Sequence, residues 1–343
     1  MLQSNKQLIT TILILLLIQV GLIYFWIKSE KTQEQTNIGM LFFGDLMLDR
    51  DIKTQIDQKG LSHLLEPLFD EKNSFFMNFD LIAANLEGPV TNNGAHYPPE
   101  AEIDFAFDPE LVKQLKNNFN FNFFNIANNH IYDQGYQGLE ETNQNLKNLD
   151  LYFSGCPDSI IEECTSTIID IDNKKIGLAG FSMVYNPINI NEAQKHINNL
   201  KNQTDFIIVN AHWGQEYVHD FNTSQQNVAH SLIDAGADII IGHHPHIVQG
   251  MEIYKNKPIF YSLGNFIFDQ YFSEDTQQGL GVGIIVNNNS YQIYLLAIQS
   301  SNSQIKLMTE DDKNKFLQNF LNWSELEIYY QQQILDGIIL IYP

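Results

Sequence analysis

The sequence predicts an α/β fold in which two β-sheets pack together and helices cover their outer faces. Short apolar runs typical of buried strands alternate with amphipathic stretches of helical length, which favours parallel strand pairing with helical crossovers. The runs are 38–43, 81–85, 121–126, 206–210 and 238–241, and the helical stretches are 111–118, 138–149, 192–202 and 225–235. Two segments, 166–181 and 281–298, instead have the pattern of β-hairpins, with turns near Asn173 and at 287–290. The mixture of the two patterns predicts the second sheet.

Four segments are expected along the chain. Residues 1–30 form an N-terminal membrane anchor, 31–37 a polar stalk, 38–305 the α/β domain and 306–343 a helical extension. In the extension, charged and apolar residues alternate at helical spacing from Glu310 to Tyr330, which predicts an exposed terminal helix.

The anchor is predicted from Leu8–Ile27, twenty residues without a charge, which is long enough to span a bilayer as one helix. Tyr24 and Trp26 suit the membrane interface. A cleaved signal peptide is the alternative, but the apolar run is long for one and no A-x-A site follows it. We expect a single-pass protein of the cell membrane whose main domain is extracytoplasmic, although lysines on both flanks leave the orientation undetermined by charge.

The charge of the chain limits its ligands. Lysine and arginine total 19 against 41 acidic residues, a net charge of −22, and no basic stripe with interleaved aromatic residues occurs. Such a protein repels phosphate backbones, so nucleic-acid binding is excluded as a function. An anionic substrate would need metal ions or a local cation to hold it.

The polar residues fall where the apolar runs end. The runs LFFGD, LIAANLEG, FFNIANNH, FIIVNAHWG and DIIIGHHPH end in or run into Asp45, Glu87, Asn129, His130, His212, His244 and His246. Ligands of α/β sheets bind beyond the carboxyl ends of the strands, so these side chains are expected around one cleft. Carboxylate, amide and imidazole groups suit one or two divalent ions such as Mn, Zn or Fe.

Each cluster alone has a plainer interpretation. Asp45 could cap the following helix, Glu87 could be a solvated carboxylate in the turn that Gly88 and Pro89 impose, and His212 could be structural. Asn129 and His130 are harder to dismiss, because polar groups directly after a buried strand need partners. The joint placement of the clusters favours the metal site. There a metal-bound water would be the nucleophile, and His130 the general acid for the leaving group.

Arg50 is the only arginine, against eighteen lysines. Its position five residues after Asp45 indicates a forked contact that lysine cannot copy, which makes it a candidate catalytic residue. A structural pair with an acid such as Asp49 or Asp133 is the alternative. The two cysteines, Cys156 and Cys164, could close a small loop outside the cytoplasm or be two unrelated thiols.

In these residues the sequence resembles the CapA family of capsule synthesis or poly-γ-glutamate biosynthesis proteins, which are similar to metallophosphoesterases. The resemblance spans about 38–298 and rests on six ordered blocks: GDLMLDR, NLEGPV, NIANNHIYDQG, AHWGQEY, GADIIIGHHPHIVQG and PIFYSLGNFIFDQ. It implies a four-layer α/β/β/α sandwich of the metallophosphoesterase type. It also implies an envelope role in making, exporting or anchoring an anionic γ-linked polyglutamate or similar polymer.

The resemblance also implies ligands. Asp45 matches the first Asp of the phosphoesterase pattern and Glu87 the acid that bridges two metals. The other matches are Asn129 with His130, His212, and the pair His244 and His246; His243 has no counterpart, and Asn265 and Asp269 belong to a family block of underived chemistry. Met47 stands where phosphoesterases carry a histidine, so one metal position loses a ligand. We therefore expect a single metal near Glu87, Asn129, His212 and His244.

Three functions follow from these observations. The first is an envelope-anchored protein of capsule polymer synthesis, whose partners are the anionic polymer or its membrane synthase complex, with metal-dependent hydrolase or ligase-like chemistry. The second is a generic metal-dependent phosphatase or phosphodiesterase. The third is a non-catalytic, polymer-binding subunit of a membrane synthase complex.

Overall fold

The computed structural model describes residues 37–69, 79–99, 101–287 and 290–342. Within these ranges the eight helices are α1 (Arg50–Lys59), α2 (Leu61–Leu65), α3 (Pro109–Phe119), α4 (Gly135–Asn148), α5 (Ile190–Lys201), α6 (Thr223–Ala235), α7 (Glu310–Trp323) and α8 (Ile328–Asp336). The strands are β1 (Ile38–Leu46), β2 (Leu81–Leu86), β3 (Phe123–Asn125), β4 (Tyr152–Ser154), β5 (Ser166–Ile171), β6 (Lys174–Ser182), β7 (Phe206–His212), β8 (Ile239–His243), β9 (Val248–Tyr254), β10 (Lys257–Leu263), β11 (Asn265–Ile267), β12 (Gln278–Val286), β13 (Tyr291–Ser301), β14 (Gln304–Leu307) and β15 (Ile338–Ile341).

The strands form two sheets. The larger has nine strands in the order β14-β13-β12-β1-β2-β3-β4, with β11 paired to β1 and β15 paired to β13. The smaller has six strands in the order β5-β6-β7-β8-β10-β9. In each sheet the strands at the centre are parallel: β1, β2, β3 and β4 in one, and β6, β7, β8 and β10 in the other. The predicted parallel pairing and both predicted hairpins are confirmed.

Three hydrophobic clusters separate four layers. One lies between the two sheets and contains Phe42, Phe123, Ile208 and Ile241. The second joins the outer face of the larger sheet to α1–α4. The third joins the outer face of the smaller sheet to α5 and α6. Burying both faces of the central strands explains why their sequences are continuously apolar and do not alternate.

The C-terminal segment differs from its prediction. It is not one exposed helix, because α7 buries Phe316, Leu317 and Phe320 in the cluster between the sheets. After α8, strand β15 pairs antiparallel with β13. The spacing of the apolar residues in α7 gives it one buried face, which the charged residues between them obscured.

Several elements were not predicted, among them α1, β9 and β10. Helix α1 is mainly polar and buries only Ile52 and Ile56, one turn apart, so its sequence resembles a loop. Strands β9 and β10 form an antiparallel pair at the edge of the smaller sheet.

The predicted membrane segment 8–27 lies outside the described residues. Among the helices of the described ranges, none has both the length and the apolar character that a bilayer crossing requires.

Candidate metal centre

Parallel strands of both sheets end at one cleft, and both sheets contribute side chains to it. Asp45 lies near the end of β1 and is fully buried. Its backbone N–H donates to the carbonyl oxygen of Gly264, at 3.0 Å. Gly44 allows this close approach, because a Cβ there would overlap the Gly264 carbonyl. The side chain of Asp45 accepts from Asn85 Nδ2 (2.8 Å) and from the backbone N–H of His244 (3.2 Å).

Glu87 follows β2 and lies at the centre of the cleft. Its Oε1 is 3.7 Å from His246 Nε2 and 4.0 Å from both His130 Nε2 and His212 Nε2. The side chain is fully buried, and neither carboxylate oxygen has a hydrogen-bond partner among the residues that the structure describes. A buried carboxylate without a partner is costly unless a cation satisfies it. Glu87 is therefore not a solvated turn residue.

His130 lies in the turn after β3, with only 13% of its side chain exposed. Its Nδ1 is 2.9 Å from Oδ2 of Asp133, which also accepts from the backbone N–H of Phe105 at 2.9 Å. The carboxylate thus fixes the ring with Nε2 toward Glu87. Asp133 was predicted only as a structural partner for Arg50, so its contact with His130 is new.

His212 ends β7, and its ring is fully buried. Its Nε2 is 2.7 Å from Asn129 Oδ1, and its Nδ1 is 3.3 Å from Asn85 Nδ2. The predicted site residues Asn129 and His212 are thereby brought together. Asn85, which the sequence analysis missed, contacts ligand candidates from both sheets. Its position two residues before Glu87 in the block LIAANLEG was the available signal.

The segment HHPH contributes three buried imidazoles. His244 and His246 have backbone φ angles of 97° and 58°, a left-handed conformation that is rare outside glycine and is often found at functional sites. His244 Nδ1 has no hydrogen-bond partner within the described ranges, and His246 Nδ1 is 3.0 Å from Asn265 Oδ1. His243, predicted as an extra, lies beneath the site: its Nδ1 is 3.7 Å from Asp45 Oδ1, and its Nε2 is 3.3 Å from Asn210 Oδ1.

Arg50 forms a forked pair with Asp269, as its Nε donates to Oδ2 (3.1 Å) and its Nη2 to Oδ1. The suggested partners, Asp49 and Asp133, are therefore wrong, because Asp269 is the acid that pairs with Arg50. Asp49 accepts from the backbone N–H of Arg50 and caps α1, and Asp133 holds His130. The guanidinium packs over Phe105, 5.0 Å from the ring centre, and 41% of the side chain is exposed.

Burial sets the electrostatics of the cleft. It raises the pKa of Asp45 to about 7 and holds that of Glu87 well above its usual range, where the charge of Asp45 adds to the effect. It lowers the pKa of His246 to about 3 and of His244 to about 4, and that of His212 well below its usual range. These three imidazoles are therefore neutral near pH 7, as metal ligands must be.

These observations fit a divalent cation. Neutral imidazoles and carboxylates are its usual donors, and the two unpartnered oxygens of Glu87 need a positive charge. Among the His, Cys, Asp and Glu side chains of the described ranges, donor atoms of Asp45, Glu87 and His246 lie within 4.8 Å of one another. The sequence instead predicts the metal near Glu87, Asn129, His212 and His244. Glu87 is common to both sets.

Tyr217 is a further residue that the sequence analysis missed. Its ring stacks on His246 with 6.1 Å between ring centres, and its hydroxyl accepts from Gln270 Nε2 (3.0 Å). Its φ of 61° is left-handed like those of His244 and His246. The tyrosine, 44% exposed, covers one wall of the cleft.

The cysteines Cys156 and Cys164 are joined by a disulfide bond, so they are not two unrelated thiols. Cys156 lies next to Gly155, whose backbone packs on Ala127 just before the turn that carries Asn129 and His130.

The sequence matches a family model described as bacterial capsule synthesis protein PGA_cap over residues 39–270. The matched segment contains every residue of the candidate centre.

Two curated relatives are similar over most of the chain. The PGA biosynthesis protein CapA of Bacillus subtilis (strain 168) is 33% identical over 287 residues, which cover 78% of this chain and 74% of that protein. The capsule biosynthesis protein CapA of Bacillus anthracis is 30% identical over 263 residues, or 71% of this chain and 63% of that protein, less than two thirds of its length. Among solved structures, a hypothetical protein from Thermus thermophilus matches with a TM-score of 0.47 and 12% identity, over 78% of this chain and 96% of that chain.

Proposed function

Because this chain belongs to the bacterial capsule synthesis family PGA_cap, we propose that it is a membrane-anchored, metal-dependent hydrolase acting on a poly-γ-glutamate-type capsule polymer. The observation that carries the proposal is the buried Glu87 carboxylate, which has no hydrogen-bond partner among the described residues and lies within 4.0 Å of three imidazole nitrogens. Such a carboxylate in a capsule synthesis protein supports metal chemistry over a purely structural role.

Asp45, Glu87 and His246 would hold the metal, and Asn129, His212 and His244 line the same cleft as further candidate donors. When bound, a divalent cation lowers the pKa of a water and polarises a carbonyl or phosphoryl oxygen. The sandwich of two sheets with helices outside, and the motif order described above, support a relationship to metallophosphoesterases.

His130 is the proton carrier of this proposal. Asp133 accepts from its Nδ1, which stabilises the imidazolium and leaves Nε2 to deliver a proton to the leaving nitrogen of a γ-amide. Phe105 contacts the His130 ring, with 4.6 Å between ring centres, and limits its rotation.

Arg50 supplies the local positive charge that an anionic polymer needs near a protein of net charge −22. Asp269 and Phe105 hold the guanidinium in place, and the half-exposed side chain leaves N–H groups for a substrate carboxylate.

The location is part of the proposal. The uncharged segment 8–27 supports a single membrane anchor. The Cys156–Cys164 disulfide supports an extracytoplasmic domain, because disulfides persist in oxidising compartments. The membrane and the polymer synthesis machinery are then its partners.

The test uses the purified full-length chain, loaded in turn with Mn²⁺, Zn²⁺ or Fe²⁺ and mixed with poly-γ-glutamate. We expect the polymer to shorten with the wild type but not with Glu87→Gln. Glu252→Gln is the matched control, since Glu252 is a buried glutamate hydrogen-bonded to Tyr261 outside the cleft. Turnover of p-nitrophenyl phosphate without polymer cleavage would favour the generic phosphatase. Polymer binding without bound metal or cleavage would favour the non-catalytic subunit.

A further inference from the structure

Two asparagines flank Asp45 in the larger sheet. Asp45 on β1 is in register with Asn85 on β2 and with Asn265 on β11, both of them parallel neighbours. Both asparagines are buried. Each also contacts one imidazole of the cleft, so the three strands present one connected row of polar side chains.

The amide of Asn265 can face only one way. Its Nδ2 donates to the backbone carbonyl of Thr276 (3.0 Å) and to Gln270 Oε1 (3.1 Å), so Oδ1 faces His246. Nδ1 of His246, at 3.0 Å, must therefore carry the hydrogen. A neutral imidazole has one N–H and one lone pair, which places the lone pair on Nε2, 3.7 Å from Glu87 Oε1.

The amide of Asn85 faces the opposite way. Its Oδ1 accepts from Asn125 Nδ2 (2.8 Å) and Asn128 Nδ2 (3.4 Å). The orientation of Asn128 is set by backbone, because its Nδ2 donates to the Leu86 carbonyl and its Oδ1 accepts from the His130 N–H. Asn85 therefore presents Nδ2 to Asp45 Oδ1 (2.8 Å) and to His212.

The orientation of the Asn85 amide determines which ring nitrogen of His212 carries the hydrogen. An N–H of Asn85 faces His212 Nδ1 at 3.3 Å, so Nδ1 is the acceptor. The hydrogen of the neutral ring then lies on Nε2, which donates to Asn129 Oδ1 at 2.7 Å.

We propose that Asn265 and Asn85 are positioning residues that assign opposite tautomers to His246 and His212, so that His246 offers a lone pair to a metal and His212 offers an N–H to Asn129. The metal then lies on the side of Asp45, Glu87 and His246, the donors that are already grouped within 4.8 Å. His212 acts through Asn129 and is not a ligand. This differs from the ligand set that the family resemblance implies, and it rests on the metal site of the proposed function.

The first measurement needs no metal. In the metal-free full-length chain with ¹⁵N-labelled histidine, we expect His246 to be protonated at Nδ1 and His212 at Nε2, with the signals assigned by His246→Gln and His212→Gln. In Asn265→Ala, His246 should lose its single tautomer. A hydrogen on Nδ1 of His212 would overturn the inference, even if the chain never binds metal.

The second measurement is titration with Zn²⁺ and Mn²⁺. Loss of an outer hydrogen-bond partner typically weakens metal affinity about 10- to 100-fold, which we expect for Asn265→Ala, with a smaller loss for Asn265→Asp because it keeps the acceptor. Asn122→Ala is the control: Asn122 braces the other end of β2 through Ile82 and Asp80, so it should leave the affinity unchanged. His246→Gln should lose metal and His212→Gln should keep it. An equal loss in His212→Gln would overturn the inference, whereas absence of metal from the wild type would refute the proposed function instead.

Discussion

Oδ2 of Asp133 lies 2.9 Å from Nδ1 of His130 and also accepts the backbone N–H of Phe105. One carboxylate thus fixes the ring of the proposed general acid and the chain segment beside it. A substitution of Asp133 can therefore impair the proposed general acid without removing a proposed metal ligand.

Asp133→Asn should lower the turnover of poly-γ-glutamate about 10- to 100-fold, because an amide stabilises the imidazolium far less than a carboxylate does. Metal content should not change. Turnover and bound metal, measured on the same preparation, check this. Asp108→Asn, which affects only the cap of α3, is the control, and unchanged turnover in Asp133→Asn would contradict the role of the pair.

Metal should stabilise the fold through Glu87. At a free Mn²⁺ or Zn²⁺ concentration about 100 times the Kd, binding contributes about 2.7 kcal/mol, which raises the Tm by several degrees. Glu87→Gln should lose this rise and Glu252→Gln should keep it. Thermal unfolding with and without EDTA checks it, and a metal-dependent rise that survives in Glu87→Gln would contradict the site.

The metal-free protein should lose stability as the pH falls from about 6.5 to 5. His212, His243, His244 and His246 have lowered pKa values in the folded state, so the unfolded chain takes up more protons below about 6.5 and folding is disfavoured. Asp45 and Glu87 have raised pKa values and act in the opposite sense over the same range. Four imidazoles outweigh two carboxylates, so the loss should be roughly 2 to 3 kcal/mol per pH unit.

Urea unfolding in EDTA at pH 7.5, 6.5 and 5.5 measures this dependence. A free energy of unfolding that rises toward pH 5.5 would show that the carboxylates dominate. It would then contradict the neutral state assigned to the buried imidazoles.

Arg50→Lys should weaken poly-γ-glutamate binding about tenfold, since lysine cannot keep two bonds to Asp269 and still offer N–H groups to a carboxylate. Lys53→Gln is the control, because it removes one positive charge from an exposed lysine on the same helix. Binding measured at fixed salt concentration separates the two variants. A loss in Lys53→Gln with none in Arg50→Lys would indicate that only net charge matters.

Replacing both cysteines with serine should lower the free energy of unfolding by about 2 to 3 kcal/mol, from the entropy of a loop closed over a separation of 8 residues. Urea unfolding of the double variant, beside the wild type with and without reductant, checks this. An unchanged midpoint in both comparisons would mean that the loop is held by its other contacts, such as those of Asp158 with Ser182 and Val184.

Much of the fold was predictable because its signals are local. The central strands are continuously apolar, and the residues that follow them reach one cleft because parallel strands place their carboxyl ends together. That argument predicted one cleft for Asp45, Glu87, His130, His212 and His246, and the structure brings these side chains together. The exposed-helix prediction for 310–330 failed because burial of Phe316 depends on distant strands.

The contacts of the site were less predictable. Asp269 lies 219 residues from Arg50 along the chain, and no local pattern indicates their pairing. Asn85 and Asn265 both lie in motif blocks of the sequence, but only the register of three strands shows that both border Asp45. Hydrogen-bond direction is a property of the assembled sheet.

The packing of α7 and β15 constrains the order in which the protein can mature. Phe316, Leu317 and Phe320 pack in the cluster between the sheets, and residues 338–341 pair β15 with β13. The inter-sheet core therefore cannot close until residue 341 has been made, although every proposed metal ligand has been made by residue 246. A chain interrupted before α7 would carry a complete set of ligands on an open, aggregation-prone sandwich.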